Sequence, residues 1–457
     1  MHPAISLVVL LGGGITLARY ASYTKQLFDS VVSSPYMDEV FHVPQAIQFC
    51  NRNWVPEPKV TTPPGLYWLT LLYQRLGYVG GWDTDVTKLS TLRTVSLVAL
   101  MVTAVLSELY LNQAMVTRSQ LAPIYRFLVA VAVATIPTLY FFGFLFYTDS
   151  ASTMLVVMAM ALAESDQHLF ASVSGLVAIS VRQTNAIWLA FIMGCAVLKE
   201  LQKHAPENSP SDPLPLKQLL SRRAVLESAL EIVLPYAPSL LLFVGLVIWN
   251  GGDVALGDKT NHQPAFHMPQ ILYFFAFALF VGWPALLPAL RGLQLSRSSL
   301  TMFSGISVLG LAAVHFFTYT HPFMLADNRH YMFYVWRRII NVTPWSRYAL
   351  VPLCVASGML WISAIAKTHN RYWIAGFLMA TSLTLVPAPL IEPRYFIVPY
   401  IVMRLALAKG TIIDARSIAS LVVEIAWHAL IISTTIYTFI YKPFSWPNEQ
   451  GLQRFMW

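Results

Sequence analysis

Charge is what this chain has least of. Of its 457 residues only 11% are Asp, Glu, Lys or Arg, while 56% are hydrophobic and the mean hydropathy is +0.57. Soluble globular domains carry roughly a quarter charged residues, so this composition implies an integral membrane protein. Cysteine is nearly absent as well: Cys50, Cys195 and Cys354 are too few and too scattered for a disulfide framework. There is no GxGxxG, Walker loop, GxSxG elbow or CxxC pair, which argues against nucleotide-driven chemistry and serine hydrolysis. The net charge of +8 comes with no lysine-rich tract or basic helical face, so nucleic acid is not implied. Most basic residues lie in short hydrophilic breaks, the pattern of the positive-inside rule.

What is present is a succession of long apolar runs. They centre near Val8, Leu100, Ala130, Val157, Leu176, Phe191, Leu241, Phe280, Leu311, Leu360, Leu378, Ile401 and Ile432. At about 20 residues per crossing this makes about 13 candidate spans in an all-α polytopic membrane protein. The runs around Val157 and Leu176 are short and admit a re-entrant hairpin, which would leave every downstream side unchanged. The first run, Ala4 to Ala18, lacks the basic leader of a cleaved signal and reads as a retained signal anchor. If the spans alternate, Arg118 and Arg126, Lys199 to Arg223, Arg291 and Arg297, Lys367 and Arg371, and Arg404, Lys409 and Arg416 share one side, taken as cytosolic. The other side receives the long loop over 23–87, Arg182 to Asn185, Gly257 to His267, His321 to Tyr331, Pro387 to Tyr395 and the closing RFMW. Residues 1–457 thus read as one domain, with a solvated cytosolic linker at 200–228 around the sequence APENSPSDPLP.

The chemically unusual residues fall in the loops of that second side. YMDEVFHVPQ, from Tyr36, sets an acidic pair beside the membrane, where carboxylates are costly. A helix opened by Pro35 would carry Asp38 and His42 on one face and turn Glu39 about 100° away, so at most one acid aims at a common atom. Pro44 is expected to disturb that helix within two turns. An acidic helix start favoured by the helix dipole is the plain structural alternative. In TTPPGLY two prolines fix a turn and Gly65 allows close approach. GDKTNHQPAFH brings Lys259, His262 and His267 together, and HPFMLADNRHY brings His321, Asp327, Arg329 and His330. Nitrogen donors of this kind suit a phosphate or a network of sugar hydroxyls. Metal ligation is not expected, because Pro264 separates His262 from His267 and no HExxH or DxD accompanies them. PLIEPRY adds Glu392 and Arg394, whose guanidinium either pairs with a phosphate or snorkels. VRQTN adds Arg182, Gln183 and Asn185 with the same ambiguity, and Asn341-Val342-Thr343 is a glycosylation acceptor pattern.

In chain order, YMDEVFHVPQ, TTPPGLY, VRQTN, GDKTNH, HPFMLADNRHY with the following WRR, PLIEPRY and RFMW resemble the endoplasmic-reticulum α-1,2-glucosyltransferase family that adds the last glucose to the dolichol-linked N-glycan precursor, in a fungal-like form. The resemblance implies a GT-C glycosyltransferase fold with its active site facing the lumen. It implies dolichyl phosphate glucose as donor and the diglucosylated dolichol-pyrophosphate oligosaccharide as acceptor, with no cofactor and no metal. The donor linkage is β and the product α, so the reaction would be inverting. By the same resemblance Asp38 is expected as general base, with Glu39 as the alternate. Lys259, Arg329, His330 and Arg394 are expected at the donor phosphate, Lys259 and Arg329 foremost. His42, Arg182, Gln183, Asn185, His262, His267, Asp327 and Glu392 are expected around sugar and acceptor. Two other readings stand beside this one. Another dolichol-phosphate-sugar transferase of the same fold would differ only in the few hydrogen bonds that choose the sugar, whereas a polytopic transporter or channel-associated protein should carry charges at mid-span.

Overall fold

The computed structural model describes residues 3–82, 84–203, 223–259, 263–290, 296–447 and 449–457. Every apolar centre named above lies within a helix. The first part of the chain forms α1 (Pro3–Val31), α2 (Glu39–Cys50), α3 (Gly65–Gly80), α4 (Leu89–Ala114), α5 (Ala122–Ala134), α6 (Pro137–Phe142), α7 (Thr148–Glu164), α8 (His168–Val181) and α9 (Asn185–Lys203). Further on come the longer helices Arg223–Val233, Ala237–Trp249, Gln270–Leu286, Arg297–Phe317, Val351–Ile365, Arg371–Leu385, Ile397–Lys409 and Ala415–Tyr441, with short helical turns between some of them. A two-stranded antiparallel hairpin, β1 (Phe444–Trp446) and β2 (Glu449–Gln453), follows the last helix.

Among the described residues four helices are long and apolar enough to cross a membrane: Leu89–Ala114, Arg297–Phe317, Ser346–Ile365 and Ala415–Tyr441. The pair Arg223–Val233 and Ala237–Trp249, bent by 58°, makes a fifth if it is one span. Ala122–Ala134, His168–Val181 and Gln270–Leu286 are apolar but shorter.

α1 continues to Val31, into the stretch expected as the first loop at 23–87; Lys25 and Asp29, 2.6 Å apart and one turn along the helix, support that extension. The helix expected to open at Pro35 begins at Glu39 instead. Pro44 does not end α2, which runs on to Cys50. The carbonyl that Pro44 leaves without its helical donor belongs to Val40, an exposed residue, so solvent can satisfy it. Of the linker at 200–228, residues 204–222 lie outside the described residues, and those flanking them are helical.

α4 packs on α5 and α7, and α7 on α8. Buried hydroxyls in these helices are satisfied locally, Thr103 on the Ala99 carbonyl at 2.8 Å and Ser107 on that of Thr103 at 2.7 Å, so they cost little inside an apolar bundle. The bundle has two chemically different ends. α7, α9 and Ile397–Lys409 begin near Asp149, Asn185 and Arg394. Where they finish, Lys199 Nζ lies 2.6 Å from the Glu164 carbonyl and 3.0 Å from Asp166, and Lys409 3.5 Å from the Glu164 carboxylate. A helix the length of α7 separates the ends by about 25 Å. Lys199 and Lys409 thus lie at the opposite end of these helices from Asp149, Asn185 and Arg394.

Candidate active site

The site is built on the start of α2. Met37 takes a left-handed φ of 55°, which turns the chain sharply between Tyr36 and Asp38. Asp38 caps α2 by position only: its side chain makes no capping bond, and its amide donates to the Tyr147 hydroxyl at 3.0 Å. The freed carboxylate accepts from Arg394 Nη1 at 2.8 Å. Arg394 in turn donates from Nε to Glu392 and lies over the rings of Tyr147 and Tyr395, at 5.9 and 5.8 Å. Tyr395 also carries the guanidinium of Arg182, at 5.9 Å. Arg182 pairs with Asp149 Oδ1 at 3.0 Å, while the buried Oδ2 of Asp149 has no hydrogen-bond partner among the described residues. Asp38, Asp149, Arg182, Glu392, Arg394, Tyr147 and Tyr395 therefore form one contiguous network of charge and ring. His42, one turn after Asp38, faces the same network and shares a 2.8 Å hydrogen bond with the Tyr67 hydroxyl.

Electrostatics distinguish the members. Burial raises the Asp38 carboxyl, but Arg394, by charge and hydrogen bond, together with His42 and His330 more than offsets it and holds the group below the ordinary carboxylate value. Burial lowers His42, against the pull of Asp38.

Glu39 points elsewhere, as the helical offset requires. It is fully buried and takes two hydrogen bonds from Arg93 of α4, at 2.9 and 2.7 Å. It also accepts from the amides of Tyr36 at 3.1 Å and Phe146 at 2.7 Å. Both oxygens are thus committed, and Glu39 ties the first loop to α4 and to the segment leading into α7.

Several of the expected site residues make structural contacts. Arg329, foremost among the expected phosphate ligands, grips Asp327 with Nε and Nη2 at 2.8 and 2.7 Å and reaches Glu449 and Gln453 with Nη1 at 3.0 and 3.1 Å. Its plane lies 5.3 Å from the ring of Trp446, so Arg329 and Asp327 lock the terminal hairpin to the 321–331 loop. His330 Nδ1 meets the main-chain oxygen of Trp457 at 2.9 Å. Lys259 donates to the carbonyl and side-chain oxygen of Asn250, at 3.0 and 2.9 Å. The Gln183 amide clamps the Thr61 and Val254 carbonyls, at 2.6 and 3.0 Å, and Asn185 holds Ser152 and the Ala178 carbonyl, at 2.8 and 2.7 Å. His267 is wholly buried, which pushes it down to about 4, and it has no access to a sugar. His262 lies outside the described residues. Gly65 does make the expected close approach: a Cβ there would sit 2.4 Å from the Ser180 backbone.

Tyr147, Asp149 and Tyr395, which the sequence motifs do not single out, join the same network. An available signal was the acid at the head of an apolar run, in YTDSAS, where a carboxylate is as costly as at Asp38. Among the described residues no group of three or more His, Cys, Asp and Glu side chains is placed to hold a metal ion.

Residues 32–405 match the DIE2/ALG10 family. A Dol-P-Glc:Glc(2)Man(9)GlcNAc(2)-PP-Dol alpha-1,2-glucosyltransferase of Mus musculus is 33% identical over 461 residues, covering 94% of each chain. Proteins of the same description from Homo sapiens, 32% identical with 94% of each chain covered, and from Yarrowia lipolytica, 31% identical with 93% of each covered, are similar along the same length. No solved structure matches the chain.

Proposed function

The chain belongs to the DIE2/ALG10 family, and from that premise we propose that it transfers glucose from dolichyl phosphate glucose to the diglucosylated dolichol-pyrophosphate oligosaccharide, as the names of its relatives describe for them. The observation that carries the reading to a site is the Asp38–Arg394 pair at 2.8 Å, a carboxylate and a guanidinium meeting where the unusual loops converge.

An inverting transfer in a single displacement needs one base and one stabilised leaving group. In the proposed reaction the acceptor hydroxyl oxygen attacks C1 of glucose, its proton passes to Asp38, and the C1–O bond electrons leave on dolichyl phosphate. Asp38 is preferred to Glu39 because its side chain is 39% exposed, whereas that of Glu39 is fully enclosed and held by Arg93. Arg394, with Arg182 behind Tyr395, is the cation assigned to the leaving phosphate; it is preferred to Arg329 and Lys259 because it meets the Asp38 carboxylate directly, whereas their partners are Asp327, Glu449, Gln453 and Asn250. Fixed cations of this kind stabilise charge that develops only as the bond breaks. A donor phosphate that takes over Arg394 also releases Asp38 from its partner and raises its basicity, so donor binding would switch on the base. His42 and Glu392 are assigned to the sugar hydroxyls, with support from their contacts to Tyr67 and to Arg394 beside Asp38, and His330 is kept with them on the strength of the sequence motif.

The same reading extends to topology. We assign the whole chain to a single GT-C domain with about 13 crossings at about 20 residues each, the catalytic first loop and the other unusual loops lumenal, and the basic end cytosolic in the endoplasmic-reticulum membrane. The short apolar helices would then cross where the bilayer is locally thin or the neighbouring helices cover them. The test is transfer by the purified protein from synthetic dolichyl phosphate glucose to a diglucosylated dolichyl-pyrophosphate acceptor, with the linkage of the product determined. Absence of an α-1,2-linked glucose on the acceptor would reject the assignment.

A further inference from the structure

The arginines around Asp38 are all engaged. Arg93, Arg182, Arg329 and Arg394 each hold a carboxylate, and Arg454 donates to the carbonyls of Phe439 and Ile440 at 2.8 and 2.9 Å. Three others at the same end of the bundle are not. Arg337, Arg338 and Arg347 have no carboxylate partner among the described residues, although they lie within one short stretch of chain. Arg337 stacks on Phe333 at 4.9 Å, Arg338 on Tyr334 at 5.4 Å and Arg347 on Tyr348 at 5.8 Å. Stacking fixes the plane of a guanidinium and leaves its N–H edge open, the geometry suited to a bidentate phosphate. The buried Nε of Arg347 makes no hydrogen bond among the described residues. Arg337 and Arg338 sit on a π-helical turn, Trp336–Ile340, against which the turn Ser346–Ala349 carrying Arg347 packs. Such turns recur at functional sites because they re-aim side chains that a regular helix would spread.

Position narrows the ligand. The segment between Phe317 and Ser346 joins two helices that are long and apolar enough to be spans, Arg297–Phe317 and Ser346–Ile365, so it lies where a membrane would end. Phe316, Ile339, Val342 and Trp345 are exposed there, an apolar rim around the arginines. The segment leads directly from Arg329 and Tyr331, which bond to the Met456 main chain, and Arg454 just before Met456 bonds the Tyr36 hydroxyl two residues from Asp38, so this boundary is on the side of the candidate site. Cations gathered on the side that the positive-inside pattern leaves poorer in them call for a specific anion.

We propose that Arg337, Arg338 and Arg347 bind the diphosphate of the acceptor lipid, anchoring its polyprenyl chain against the exposed apolar rim and its glycan toward Asp38. The choice of ligand rests on the glucosyl-transfer reading. An anion held at the depth of lipid headgroups, with one ionised oxygen on each of two phosphates, suits guanidinium groups that have no carboxylate partner among the described residues at a membrane boundary. The residues act on acceptor binding and leave the chemical step to Asp38 and Arg394.

The test separates binding from transfer. Full-length protein in nanodiscs of neutral phosphatidylcholine is titrated with a short polyprenyl diphosphate bearing the GlcNAc(2) disaccharide, and with the monophosphate of the same glycan. Wild type should hold the diphosphate about tenfold tighter, and R337Q/R338Q/R347Q should lose about that factor, the size of one charge-assisted hydrogen bond. The acceptor KM should rise while donor KM and kcat stay within a factor of about two. Should the triple variant fail to fold, R337Q and R338Q, both at exposed positions, carry the measurement singly. Unchanged diphosphate affinity in the folded variants overturns the inference, as does equal competition by anionic phospholipid doped into the nanodisc, which would mark a general headgroup belt. Wild type that binds with this preference but transfers no glucose would sink the transfer reading and leave the diphosphate site standing.

Discussion

Asp38 and Arg394 stand 356 residues apart in the chain, and Arg394 Nη1 lies 2.8 Å from Asp38 Oδ2. The pairing keeps a partly buried carboxylate ionised and gives a partly buried cation a counter-charge, so neither group bears an unpaired desolvation cost before substrate arrives. On the proposed mechanism a phosphate entering the site would compete with Asp38 for the same guanidinium, so donor binding and activation of the base would be a single event.

Asp38→Asn tests the base. The amide keeps shape and hydrogen bonding but takes no proton, so transfer should fall by roughly 10²-fold or more. Binding of dolichyl phosphate glucose should persist, since the substitution removes a competitor for Arg394. Normal transfer by a folded Asp38→Asn protein would move the base out of this loop.

Much of this site was legible in the sequence and some was not, for identifiable reasons. The islands around Asp38, Arg182 and Arg394 stood out because charge next to apolar runs is costly, and the structure brings them together. Arg93 gave no such sign: it sits in the first turns of α4 and is explained only by Glu39, 54 residues earlier in the chain. Gln183 and Asn185 were read as ligands because the amide donors that would meet a sugar are the same ones that clamp a carbonyl. The contacts of Arg329 with Glu449, 120 residues away, and with Trp446 have no signature in the sequence around HPFMLADNRHY. The helices followed from the apolar runs; their number as crossings did not, since several are shorter than a bilayer requires.

The pH profile should respond to Arg394. In the native protein Arg394, with His42 and His330, outweighs burial and lowers the Asp38 carboxyl, so the ionised base persists as pH falls below neutral. Arg394→Lys keeps a charge but loses the fixed planar donor, leaving burial less opposed and the Asp38 value higher. The acid limb of kcat/KM should therefore move to higher pH, with a lower plateau. An unmoved limb would show that Arg394 does not set the ionisation of the base.

Glu39→Gln and Arg93→Met should reveal a structural lock. Removing one member of a buried pair strands the other, at about 3–5 kcal/mol. Each single variant is expected to lower the melting temperature and detergent-extracted yield, with the double variant Glu39→Gln/Arg93→Met recovering part of the loss. A Glu39→Gln protein as stable as wild type but unable to transfer glucose would instead make Glu39 the base.

Chelation should leave activity intact. The acids of the candidate site are each engaged by an arginine, Asp38 and Glu392 by Arg394 and Asp149 by Arg182, and fixed cations are proposed to meet the leaving phosphate in place of a metal. Transfer measured in EDTA should equal that in added magnesium or manganese. Loss on chelation with recovery on either ion would show that the carboxylates exchange their arginines for a metal when substrate binds.

Arg329→Ala distinguishes a strut from a phosphate ligand. Its guanidinium joins Asp327 to Glu449, Gln453 and Trp446, and the neighbouring backbone adds a bond from the Met456 amide to the Arg329 carbonyl at 2.9 Å. Loss of the side chain should therefore free the hairpin while the main-chain contact survives, costing about 1 kcal/mol or less after allowance for solvent screening at a partly exposed pair. Proteolysis between Lys442 and Gln453 should quicken, and kcat should fall modestly with the donor KM unchanged, because the hairpin borders the His330 side of the site without touching the proposed phosphate position. A large rise in the donor KM, with the hairpin still resistant to protease, would instead return Arg329 to the phosphate and take that role from Arg394.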